Sequence, residues 1–118
     1  KIILKYTKRK NKYLSKNWKV NIIKEEIKKK IPLDSKINEA SINSKKIKKN
    51  DIFFAIKGKK NDGNNFIKES LDKGASFAVV NKIDRSTKVS KQILVKDSLK
   101  SLTNISKKGI SVINKHFK

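Results

Sequence analysis

The chain has 118 residues, room for one compact domain. Its apolar content of 36% and formal net charge of +22 lie near the range of disordered basic tails, but the apolar residues stand in runs with glycine and proline at element ends, which points to a folded core. The absence of cysteine excludes disulfides, thiolate chemistry and cysteine-held zinc, the single His116 makes no metal site alone, and no apolar run approaches the roughly 18–20 residues that span a bilayer.

Residues 1–16 are basic and weakly patterned and read as an extension or linker, without the apolar core and cleavage site of a signal peptide. The first residue is Lys rather than Met, so the sequence reads as a piece of a longer protein. WKV, from Trp18, is expected as a short strand, with Asn21 capping a helix whose stripe is Ile23, Ile27 and Ile31 and which Pro32 stops. KINEASIN (36–43) reads as extended. IFFAI (52–56) is apolar without alternation, as in a strand covered on both faces.

KGKKNDGNN (57–65) is a loop in which Gly58 and Gly63 are natural places for positive φ. Asn64 or Asn65 is expected to cap the helix FIKESLDK, closed by Gly74. SFAVV (76–80) is a second buried strand and ILV (93–95) a third. Asp97 or Ser98 caps a last helix carrying Leu99, Leu102 and Ile105, its pattern running past Gly109 to Ile113. Strand, loop, helix, glycine, strand is a βαβ unit, so the class is α/β, a small mixed sheet flanked by helices.

No GxxxxGK[ST] phosphate loop, HxxxH pair or Ser/His/Asp set is present. The loops flanking IFFAI are the candidate surface, because ligands of open α/β sheets sit beside strand ends. Asn43, Ser44 and Asn61 offer amides and a hydroxyl, and Lys45, Lys59 and Lys60 offer point charges for phosphate. Asp62 is expected to bond its own loop backbone, beside Gly63. Ordinary turn chemistry explains the same residue types, and both readings stay open here. The charge itself suggests nucleic acid. However, Arg9 and Arg85 are the only arginines among 32 basic residues, and lysine is spread along the whole chain. Lys, Ile and Asn share A/T-rich codons, so most of the charge reads as solvated background from an A/T-rich genome. A basic nucleic-acid-binding module is the alternative of a different class.

The stretch NSKKIKKNDIFFAIKGKKNDGNNFIKESLDKGASFAVV (43–80) resembles the N-terminal domain of the Mur peptide ligases, whose pattern is roughly DSRxIxPGDLFxAxxGxxxDGHxFIxxAxxxGAxAVV. Ser44, Ile47, Asp51, Ala55, Gly58, Asp62, Gly63, Phe66, Ile67, Gly74 and Ala75 keep the family spacing. Asn43 and Lys45 replace the family's Asp and Arg, Lys49-Asn50 its Pro-Gly, and Asn64 its His. Residues 18–42 and 93–107 resemble the family more loosely, and residues 1–16 do not.

The resemblance implies a substrate-binding domain over residues 17–97, followed by a helix (98–118) leading toward an ATP-binding central domain that the sequence does not reach. It implies a cytoplasmic, monomeric cell-wall ligase whose N-terminal domain holds the UDP end of a UDP-N-acetylmuramoyl-peptide, with neither membrane insertion nor specific nucleic-acid binding. Ser44, with Asn43 and Lys45, would lie on the uracil or ribose side. Lys59, Lys60 and Asn61 would line the UDP pocket, and Asp62-Gly63 would shape that loop. No cofactor is expected on this chain, ATP and Mg2+ belonging to the central domain. ILVKDSLKSLTNISK (93–107) is similar to the family stretch ILVxDTLxALxxLA, which implies D-alanyl-D-alanine as the added group. The alternatives are the third peptide residue, lysine or diaminopimelate, or a Mur-like ligase of another surface polymer.

Overall fold

The computed structural model describes residues 18–28, 31–32 and 34–113; the expected extension 1–16 lies outside them. Among the described residues the order is α1 (Trp18–Ile27), β1 (Ala40–Ser41), β2 (Ile52–Phe54), α2 (Ile67–Asp72), β3 (Phe77–Val80), β4 (Gln92–Leu94), α3 (Ser98–Lys107) and β5 (Val112–Ile113). Short 3-10 turns stand at Ser44–Lys46, Gly63–Phe66 and Val89–Lys91.

The expected α/β class holds. The sheet runs β4-β3-β2-β1-β5 and is parallel at every pair rather than mixed. The reason is connectivity: parallel neighbours need a crossover, and each link returns the chain to the starting edge.

The apolar runs of β2 and β3 divide by alternation. Ile52, Phe54 and Val79 face one core with α1 and with Leu102 and Ile105 of α3. Phe53, Ala55, Ala78 and Val80 face the other, under Ile67 and Leu71 of α2 and Ile47 of the β1–β2 link. Each buried Phe or Ile contributes roughly 1.5–3 kcal/mol relative to exposure.

Three expectations need correction. WKV is not a strand: Val20, Ile23 and Ile27 are spaced three and four apart and all buried, so the helix starts at Trp18. That helix stops before Ile31 and Pro32, at Lys28, whose φ is 54°. The last helix does not run past Gly109 (φ 106°). Gly109 N–H donates to Ser106 O and Ile110 N–H to Ile105 O, a paired glycine stop with its Ile105–Ile110 apolar contact. The chain then enters β5, which pairs with β1, so residues 98–113 complete the sheet begun by the expected 17–97 unit.

Positive φ also falls elsewhere than expected. It occurs at Gly74 (109°) and Asn50 (70°), not at Gly58 or Gly63. Asn50 stands where the family pattern has glycine, and asparagine is the next residue to tolerate the left-handed region. Its N–H donates to Gly74 O and its carbonyl accepts from Asn38 N–H. Asn50→Gly should change stability by less than about 0.5 kcal/mol, while Asn50→Val should cost about 1–2 kcal/mol. Urea unfolding of both variants checks this, and equal midpoints would contradict it.

Candidate functional site

Parallel pairing decides where the candidate loops stand. Ser41 pairs with Phe53, and Phe53 with Ala78, so the loops that leave β1, β2 and β3 emerge at one edge of the sheet. β1 stands between β2 and the edge strand β5. The link from β1 to β2 crosses one face under Ile47, whereas α3 crosses the opposite face on its way to β5. Open α/β sheets take ligands beside carboxyl ends of strands where crossovers diverge in this way.

The turn after β1 is tied at several points. Asn43 caps it, Oδ1 accepting from Lys45 N–H at 2.9 Å. Ser41 Oγ lies 3.1 Å from both the carbonyl and the N–H of Asn43. Ser44 is buried, and its hydroxyl donates to Glu69 Oε2 on α2 at 3.2 Å. Lys45 is exposed, at a shallow hollow shared with Glu39 and Lys48.

The loop after β2 is a miniature hairpin. Lys57 bridges Asp62 in antiparallel fashion and Gly58 N–H donates to Asn61 O at 2.8 Å, leaving Lys59, Lys60 and Asn61 at an exposed tip. Asp62, not Asn64 or Asn65, caps the turn that leads into α2. Its Oδ1 accepts from the Asn64 side-chain amide at 2.8 Å and backbone N–H at 2.9 Å. Those two bonds, the side-chain one foremost, hold the Asp62 carboxyl below its ordinary pKa, with Lys57 adding a smaller pull. Gly63 is buried against the backbone of residues 55–56.

The structure thus puts the two expected groups, Asn43–Lys45 and Lys59–Gly63, on one sheet edge. Of the eight expected residues only Asp62 lines the roomier hollow there, an open cleft of about 790 Å³; Asn43, Ser44, Lys45, Lys59, Lys60, Asn61 and Gly63 do not. That cleft is lined mainly by residues the sequence did not single out as site residues, among them Lys57, Asn64, Asn81, Asp84 and Arg85. Asn81 joins the loops: its N–H donates to Asn64 Oδ1 at 3.0 Å and its Nδ2 to Val95 O and Lys96 O. Ser98 Oγ lies 2.6 Å from Ala55 O and 3.0 Å from Asn81 Oδ1, with one proton between them. The signal for Asn81 was present, since it follows directly on the second buried strand.

A family model described as the Mur ligase family, catalytic domain, matches residues 36–116. The chain belongs to the Mur ligase family. It is 51% identical over 57 residues to a Rickettsia rickettsii ligase named UDP-N-acetylmuramoyl-L-alanyl-D-glutamate--2,6-diaminopimelate ligase, covering 48% of this chain and 12% of that one. It is 38% identical over 69 residues to the UDP-N-acetylmuramoyl-tripeptide--D-alanyl-D-alanine ligase of Rickettsia prowazekii, covering 58% of this chain and 15% of the relative. The crystal structure of MurF ligase from Thermotoga maritima in complex with ADP aligns with a TM-score of 0.55 and 30% identity over 60% of this chain and 16% of that one. MurF from Acinetobacter baumannii shares the fold, with a TM-score of 0.60 at 22% identity over 72% of this chain and 19% of its own. The chain therefore spans only a small part of these Mur ligases. Its family match begins after α1 and takes in the whole sheet, including both candidate loops.

Proposed function

We propose that this chain is the portion of an ATP-dependent peptidoglycan-precursor ligase that holds the uridine-diphosphate end of a UDP-N-acetylmuramoyl-peptide. The observation that carries this reading is the emergence of Asn43–Lys45 and Lys59–Gly63 from adjacent parallel strands at the divergence of the crossovers, in a chain of this family. Ser44 contacts the base side, while Lys59, Lys60 and Asn61 close over the nucleotide and Lys45 adds charge.

Activation of the substrate carboxylate belongs to an ATP-binding domain. Among the described residues no group of three His, Cys, Asp or Glu side chains could share a metal. No described helix is long and apolar enough to cross a membrane. The same reading makes it an enzyme of the cytoplasm that acts as a monomer.

For the group added, the 93–107 stretch and the Rickettsia prowazekii relative named for that step support D-alanyl-D-alanine. A second reading, addition of diaminopimelate, is supported by the higher identities to ligases named for that step. A nucleic-acid role finds less support. Exposed lysines stand on both covered faces and both sheet edges, as at Lys45, Lys48, Lys59, Lys82 and Lys107, so no single face gathers the charge.

Calorimetric titration of the chain with UDP-N-acetylmuramoyl-tripeptide, and with plain UDP, tests the reading. Both should bind. Ser44→Ala should weaken both by about 3- to 10-fold, the range for one lost hydrogen bond, while the unfolding midpoint moves little. Unchanged affinity in that variant would remove Ser44 from the site.

A further inference from the structure

We infer that Glu69 sets base selectivity at this site: by fixing the direction of the Ser44 hydroxyl it makes the site take a ligand with a rigid N–H donor, the imide of uracil, and reject cytosine. The inference rests on the reading above that Ser44 meets the base.

A serine hydroxyl has one proton and two lone pairs, and ordinarily rotates to suit its partner. Ser44 does not have that freedom. Its Oγ donates to Glu69 Oε2 at 3.2 Å, and a carboxylate can only accept. Glu69 is itself held, with Lys73 Nζ 3.4 Å from the same oxygen. Lys73 Nζ, at the end of α2, also donates to Lys45 O at 3.3 Å, so the turn is held at Ser44 and at the residue after it. With the proton committed inward, Ser44 Oγ offers only lone pairs to a ligand.

Uracil N3 carries hydrogen and can donate to those lone pairs, whereas N3 of cytosine is an acceptor and faces them lone pair to lone pair. A ribose hydroxyl would simply rotate, so the commitment of the Ser44 proton matters only toward a rigid group such as the base. Nor does Glu69 need Ser44 for its own sake. Its side chain is 37% exposed and already has Lys73, so water could satisfy it. The bond satisfies the hydroxyl of the buried Ser44 and in doing so fixes its direction.

The test compares UDP with CDP by titration into the full chain, in the native protein and in Glu69→Met, Glu69→Gln and Ser44→Ala. The native chain should prefer UDP by at least about tenfold, the effect of setting two acceptors against each other. Met removes the acceptor and frees the hydroxyl, so the preference should fall to within about threefold. Gln keeps an accepting oxygen and should retain it, and Ser44→Ala should lose it with Glu69 intact. An amide spectrum that matches the native one shows that each variant is folded. Should Glu69→Met not fold, Glu69→Ala, which also removes the acceptor, takes its place. If UDP binds but CDP binds equally, or the preference survives loss of the acceptor or of the hydroxyl, the inference is overturned while the UDP reading stands. If neither nucleotide binds, both fall.

Discussion

Gly63→Ala should lower the unfolding free energy by about 2–3 kcal/mol, although the added group is one methyl. A Cβ at Gly63 would lie 2.6 Å from Ile56 N, 2.9 Å from Ala55 Cα and 3.0 Å from Ala55 C. All three are backbone atoms at the end of β2, so no flexible side chain can swing aside. Gly63 N–H also donates to Ile56 O at 2.9 Å, and that bond holds the hairpin loop against the strand. At roughly 4 °C per kcal/mol for a domain of this size, the melting temperature should fall by about 10 °C. Gly58→Ala is the internal control. Its nearest contact would be Asn61 O at an ordinary 3.5 Å, and its φ is not in the left-handed region, so it should be neutral within about 0.5 kcal/mol. Thermal melts of the two variants check this; equal losses would show that conformational freedom, not close approach, is why glycine stands at 63.

Asp51→Ala should cost about 2–4 kcal/mol. Asp51 is 2% exposed. One carboxylate oxygen accepts from Glu39 N–H at 3.2 Å and the other from Lys48 N–H at 2.9 Å. It thereby fastens the entry to β1 and the turn before β2 to one another. Alanine leaves both donors without their partner in a place water reaches poorly. Asparagine keeps one accepting oxygen and turns an NH2 toward the other donor, so Asp51→Asn should fall between. Denaturant midpoints give the order native, Asn, Ala. A loss below about 0.5 kcal/mol for alanine would mean that water replaces both bonds. Either loss would loosen the frame from which the Ser44 turn departs.

These two residues show what a single sequence carries and what it does not. Asp51 and Gly63 stand out in the spaced motif, but only coordinates supply the reasons, because both act on backbone distant in sequence or reached through a tight loop. β2 and β3 were legible because burial on both faces leaves an unbroken apolar run. Asp97 was legible as a cap because capping is local: Oδ1 accepts from Lys100 N–H three residues on. β5 was not. Two residues carry no period, and their pairing with β1 lies some seventy positions away in the chain. Counting Val20 would have given the start of α1, and reading Gly109 with Ile110 as a glycine stop would have ended α3 correctly. Of the site, the two loops were legible as turns rich in Asn, Ser, Gly and Lys. Their shared edge followed only from the parallel register, and the role of Asn81 only from its hydrogen bonds.

The proposed site requires that those two loops serve one ligand. The direct measurement is an amide chemical-shift titration of the isotope-labelled chain with UDP at physiological salt. The predicted result is that the amides of Asn43–Lys45 and Gly58–Gly63 move together along one saturation curve, while those around Lys107 and Lys108 at the end of α3 stay still. Movement of only one loop, or shifts spread evenly over lysine-bearing surfaces and erased by added salt, would contradict it.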